Sequence, residues 1–117
     1  MDDYSQETGA PGKVKTKFAM YHMGQLCVEV MTDLVSMMLK DLKHVPKDDY
    51  ANFKKLQEIN TISGNLEKRL AEANGLRNRL AYDYNGIDEE IAIEGLENVK
   101  ETVTQFRDVV ENWLQKQ

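Results

Sequence analysis

Leu96, Val99, Val103, Phe106, Val110 and Trp113 are separated alternately by three and four residues, the step that keeps side chains on one stripe of an α-helix. Ile62, Leu66, Leu70, Ala73, Arg77, Leu80 and Tyr84 step by fours and threes in the same way. So do Cys27, Met31, Leu34, Met38 and Leu42, a stripe that Val28 and Val35 widen. No stretch of strand length alternates with period two, so the chain reads as all-α: an antiparallel four- to five-helix bundle with short connections. At 117 residues and 41% apolar composition it has material for one core but not for two.

Breakers and caps divide the chain. Residues 1–12, with Gly9, Pro11 and Gly12 and little to bury, are expected as a flexible tail, and residues 13–117 as the helical domain. The first helix should run from about Val14 to Lys43 and stop before Pro46, which disfavours α geometry in the residue preceding it. Asp48 or Asp49 should cap a second helix with Tyr50, Phe53, Leu56 and Ile59 on one face. The third helix carries the Ile62–Tyr84 stripe and is expected to close at Asn85-Gly86, with Gly86 as the left-handed residue past its end. Asp88, followed by Glu89 and Glu90, should open the last helix with an acidic first turn facing the positive end of its dipole.

Several function classes drop out. The longest unbroken apolar run, Phe18–Tyr21, is far short of the ~18–20 residues of a membrane-spanning helix. The acidic start Met-Asp-Asp-Tyr-Ser-Gln-Glu lacks the basic and then apolar pattern of a secretory signal, so a cytoplasmic address is expected. Neither His-x-x-His, Cys-x-x-Cys nor Glu-x-x-His spacing occurs, leaving no ligand set for a metal, and the scattered glycines form no phosphate loop. No cofactor is therefore expected. Cys27, the one cysteine, cannot make an intrachain disulfide and reads as a small core residue. His22 and His44 read as solvated or capping side chains. Five of the six methionines lie between Met20 and Met38, a pattern of adaptable core or of contact with a second copy.

The anomaly is local. The net charge is −5, yet Leu66–Tyr82 holds Lys68, Arg69, Arg77 and Arg79 against Glu67 and Glu72, which is +2. The overall charge argues against non-specific nucleic-acid binding by the whole surface and leaves room for a local basic patch. Arg77 stands where the stripe calls for leucine. A guanidinium is a planar fork of donors suited to phosphate oxygens, and it is costly to bury unpaired. Two readings follow: Arg77 belongs to a site, or it pairs with a carboxylate such as Asp83 or Glu72 at a helix junction.

Leu76-Arg77-Asn78-x-Leu80-x-Tyr82-x-Tyr84, followed by Asp88, resembles the motif Arg-Asn-x-x-x-His-x-Tyr of HEPN-domain proteins, and in particular of HepT-like toxins paired with minimal nucleotidyltransferase antitoxins. The likeness extends from roughly Lys17 to Leu114. It implies a homodimer in which the motif helices of both protomers form one RNA-cleaving cleft without metal. The motif histidine would assist the 2′-hydroxyl of RNA in attacking the adjacent phosphate, while Arg77 holds that phosphate and stabilises the charge building on it. Asn78 would support Arg77, and Tyr84 matches the tyrosine that the antitoxin of this family modifies with AMP.

This chain departs from the motif at Tyr82, which stands in the histidine position. A phenol with a pKa of ~10 is about one part in a thousand ionised at neutral pH, whereas an imidazole at ~6.5 is mostly available as a base. Loss of a general base typically costs ~10²–10⁴ in rate, so a weakened or inactive ribonuclease is expected. The other reading within the family is a non-catalytic subunit that holds a nucleotide or RNA end, or docks on a nucleotidyltransferase. Outside it stands an unrelated helical dimer or adaptor.

Overall fold

The computed structural model describes residues 10–83 and 86–116, with side chains from Lys15 onward. Four helices follow one another: α1 (Ala10–Asp41), α2 (Asp49–Glu58), α3 (Gly64–Tyr82) and α4 (Glu89–Gln115). Helix α1 begins four residues ahead of the expected Val14. Pro11 does not prevent this, because in a first turn its missing N–H has no intrahelical partner to lose. Of the expected tail, residues 1–12, residues 10–12 are helical instead, and residues 1–9 lie outside the described residues.

The starts are built as the sequence suggests. Asp48 accepts from the Ala51 N–H at 2.9 Å, and Asp88 accepts from Glu90 and Ile91 at 2.8 and 3.3 Å. Ser63 caps α3 through a bond from the Leu66 N–H at 3.0 Å. The ends follow a different rule. Lys43 adopts φ 69°, its N–H reaches the Lys40 carbonyl and that of His44 reaches Leu39; Asn60 at φ 62° repeats the arrangement, with Asn60 N–H to Gln57 and Thr61 N–H to Leu56. Both helices therefore stop in Schellman turns, which satisfy otherwise orphaned carbonyls. Helix α3 stops at Tyr82, ahead of the expected Asn85-Gly86, with its cap Asp83 at φ −141°, and Gly86 is not in the left-handed region expected for it. Gly86 instead donates to the Asp83 carbonyl at 3.1 Å, and a Cβ there would require the Asp83 carboxylate to move aside.

Helix α3 runs antiparallel to its neighbours. Arg69 lies against Glu101 and Leu76 against Gly95, while Gly24 meets Leu96 and Asp41 meets Trp113, so α1 and α4 lie parallel. The core contains Val28, Val35, Met38 and Leu39 of α1, Phe53 and Leu56 of α2, Leu66, Leu70 and Leu80 of α3, and Val99 and Phe106 of α4. On α1 the expected stripe is buried at Val28, Met31, Val35 and Met38, with Leu34 packed against the core, but its two ends, Cys27 and Leu42, are exposed, and Tyr21 and Leu39 are buried beside it. The reason is that α1 is apolar on two faces. Met23, Leu26, Val30 and Met37 lie on its exposed side, where a surface helix normally carries charge. Asn52 is buried but matched: it accepts from the Lys47 N–H at 2.6 Å and donates to the Lys47 carbonyl at 3.2 Å, clamping the α1–α2 connection to α2.

Candidate functional site

The end of α3 carries the residues singled out by the motif. Arg77 is neither free nor sealed in. Its side chain is 21% exposed, and its Nη2 donates to Asp49 Oδ2 at 3.1 Å and to Asn74 Oδ1 at 2.7 Å. The carboxylate partner is thus Asp49, from the first turn of α2, rather than Asp83 or Glu72. Asp83 follows the helix end and lies against Gly86, and Glu72 is on the exposed side of α3. Arg77 Nε is buried with no hydrogen-bond partner, which leaves the guanidinium with donor capacity its own chain does not use. Asn74, 2% exposed, was not anticipated from the sequence; it accepts from Arg77 one turn earlier on the helix and fixes its direction.

Asn78 is half-buried next to Arg77 in sequence, and Tyr82 is 88% exposed in the last turn of α3. Tyr84 lies outside the described residues. Arg77, Asn78 and Tyr82 therefore share one end of one helix, but five residues separate Arg77 from Tyr82, so the two side chains project in different directions. A guanidinium held by an amide and a carboxylate has its donor plane fixed, the kind of fork that pairs with two oxygens of one anion.

Next to this end, Phe18, Tyr21, His22 and Gln25 of α1 and Leu80 and Ala81 of α3 line a cavity of about 410 Å³. The expectation that His22 is solvated holds in that it is exposed, but it also borders this cavity and stacks beside Phe18. A second concavity, about 430 Å³ and almost wholly apolar in lining, runs between α1 and α4 past Leu26, Cys27, Val30, Val103 and Val110. Among the described residues, no three His, Cys, Asp or Glu side chains converge as a metal site would require, and no helix is long and apolar enough to cross a membrane.

Residues 2–112 match the family model described as Ribonuclease HepT-like. The chain belongs to the HepT-like ribonuclease family. Two proteins of Archaeoglobus fulgidus that carry the name "Putative RNase" are similar to it. One is 34% identical over 109 residues, 91% of this chain and 83% of the relative; the other is 32% identical over 109 residues, 93% and 76%. A similarly named protein of Methanocaldococcus jannaschii is 36% identical over 63 residues, 54% of this chain and 72% of its own length. No solved structure matches significantly.

Proposed function

We propose that this HepT-like chain is the toxin component of a toxin–antitoxin pair: a metal-independent RNA endonuclease by descent, weakened or silenced by Tyr82. The observation that carries the reading is Arg77, oriented by Asp49 and Asn74 and still partly open to solvent. In the reaction, the 2′-hydroxyl attacks the adjacent phosphorus, the bond to the 5′-oxygen breaks, and a cyclic phosphate and a 5′-hydroxyl remain. Arg77 holds the non-bridging oxygens as their charge grows, and Asn78 supports it. The step that suffers is proton removal from the 2′-hydroxyl, because Tyr82 offers a phenol where the family places an imidazole. The cognate minimal nucleotidyltransferase would act on Tyr84.

The active form is a homodimer. The support is the exposed apolar side of α1, continued by Val103 of α4, which a second copy would cover. On α3, Tyr82 is the one large exposed apolar side chain among the described residues, so this helix would contribute through its end and not along its length. Sedimentation at micromolar concentration should give a dimer; a monomer there counts against the shared cleft.

The discriminating experiment expresses Tyr82→His beside the unaltered chain and compares growth arrest and RNA decay. Arrest restored by the histidine supports the toxin reading. Silence in both favours a second reading that Tyr82 itself motivates: a non-catalytic subunit using the Arg77 end to hold RNA or a nucleotide, or to dock on a nucleotidyltransferase.

A further inference from the structure

We propose that Tyr50 and Gly75 form a second contact for the RNA backbone beside Arg77: the Tyr50 hydroxyl donates to a phosphate oxygen, and Gly75 leaves bare the helix surface on which the strand lies. The inference rests on the ribonuclease reading and deepens it. It starts from a glycine that the fold does not require. Gly75 sits inside α3, where glycine is a poorer helix former than any residue but proline. At Gly24 and Gly95 a leucine of the neighbouring helix occupies the space a Cβ would need. At Gly75 a Cβ would meet only the Tyr50 hydroxyl, at 3.8 Å, an ordinary contact. Alanine would fit there, so packing within this chain does not account for the missing side chain.

The surroundings of Gly75 suit a polyanion. Asp49 and Tyr50 are consecutive in the first turn of α2; Asp49 takes the Arg77 guanidinium at 3.1 Å, and Tyr50 reaches across α3 to Gly75. Phenol and guanidinium therefore meet one turn of α3, residues 74–77, from the same end of α2. Asn78, half-buried, follows Gly75 by three residues and so lies on the same side of the helix. The Tyr50 ring packs edge-on against Phe53, yet the side chain is 46% exposed, and its hydroxyl has no hydrogen-bond partner among the described residues. The adjacent carboxylates do not claim it, since Asp48 accepts from the Ala51 N–H and Asp49 from Arg77. A phenol offers one O–H donor and no charge, which adds a directed bond to a phosphate already drawn by Arg77. Apolar surface suited to a second copy lies elsewhere, at Met23 and Val30 of α1 and Val103 of α4.

The test is fluorescence anisotropy with a labelled hexauridylate carrying 2′-O-methyl sugars, which cannot be cleaved, at about 0.15 M salt, with a melting curve and a sedimentation run for each variant. Tyr50→Phe removes only the hydroxyl; the melting temperature should stay where it is, and binding should weaken by about 3- to 10-fold, the range of one hydrogen bond. Gly75→Ala should raise the melting temperature by about 2–5 °C, because alanine is the better helix former, and still weaken binding by about 5-fold or more, because the methyl group stands where the strand lies. A variant that is more stable and binds worse cannot be explained by misfolding. Unchanged binding by either variant overturns the contact while leaving the ribonuclease reading standing. So does a lower melting temperature for Tyr50→Phe, which would make the hydroxyl an internal tie, or a shift of Gly75→Ala from dimer to monomer, which would give this face to a second copy. Failure of the unaltered chain to bind the strand overturns both readings.

Discussion

The two ends of the bundle are finished differently. Where α1 and α4 end, Trp113 Nε1 donates to Asp41 Oδ2 at 2.9 Å, and the Schellman turns at Lys43 and Asn60 fold loose carbonyls back into the chain. Where α3 ends, the helix stops at Tyr82 with Asp83 as its cap, Tyr82 is exposed, and Arg77 is held by Asp49 and Asn74. The first end ties α1 to α4 side chain to side chain, whereas the second carries the exposed Tyr82 and the residues proposed to bind RNA, so stability variants are expected to act at the first and binding variants at the second.

Breaking that division requires variants at both ends, each followed by a melting curve and an RNA-binding titration. The largest effect is expected from Phe106→Ala, in the half of α4 leading to Trp113. Phe106 is 3% exposed, so truncation should cost about 3–5 kcal/mol. Binding by the folded fraction should not change. A loss below about 1 kcal/mol would mean that this stretch of α4 is not the core it is described as.

Arg77→Ala comes next. It removes two charge-assisted bonds and leaves Asp49 and Asn74 without that donor, but Asp49 remains about one-third exposed and can hydrate. A cost of about 1–3 kcal/mol follows, together with a clear loss of RNA affinity and of any cleavage gained by Tyr82→His. A larger loss of stability with unchanged binding would make Arg77 a structural tie and remove it from the site. The smallest effect is expected from Tyr82→Phe, within about ±0.5 kcal/mol, because the side chain is 88% exposed. A substantial stability change there would show that the open end is covered in solution and that the contrast between the ends belongs to the isolated protomer.

The helix starts were legible because Asp48 and Asp88 act on N–H groups two or three residues away, a distance a sequence pattern spans. The geometry of the helix ends is not legible in the same way, although the ends at Asp41 and Glu58 fall close to the expected positions. Left-handed geometry at Lys43 and Asn60 is imposed by where the chain must turn, and glycine, the usual marker, stands at neither. The buried stripe of α1 is legible through Val28, Met31, Val35 and Met38 but not at Cys27 and Leu42, because with apolar side chains on two faces spacing alone does not set the edge of the buried face. Arg77 stood out in sequence as a misfit on an apolar stripe. Its partner did not, since Asp49 lies 28 residues away on another helix and had been assigned only a capping role. The aromatic cavity was equally hidden, because Phe18 and Ala81 become neighbours only once α1 and α3 pack.

Helix α4 contains two adjacent residues with opposite duties. Gly95 leaves space that Leu76 of α3 fills, since a Cβ there would come within 2.9 Å of the leucine, and Leu96 fills space that Gly24 of α1 leaves. Inheritance should respect this. A larger residue at position 24 requires the side chain at 96 to turn aside or to be smaller, and the same applies to 95 and 76, so relatives are expected to vary at these sites in matched pairs. Gly24→Ala alone should look harmful, yet be harmless in a relative whose residue 96 has already shrunk. What evolves at this seam is the sum of two side-chain volumes.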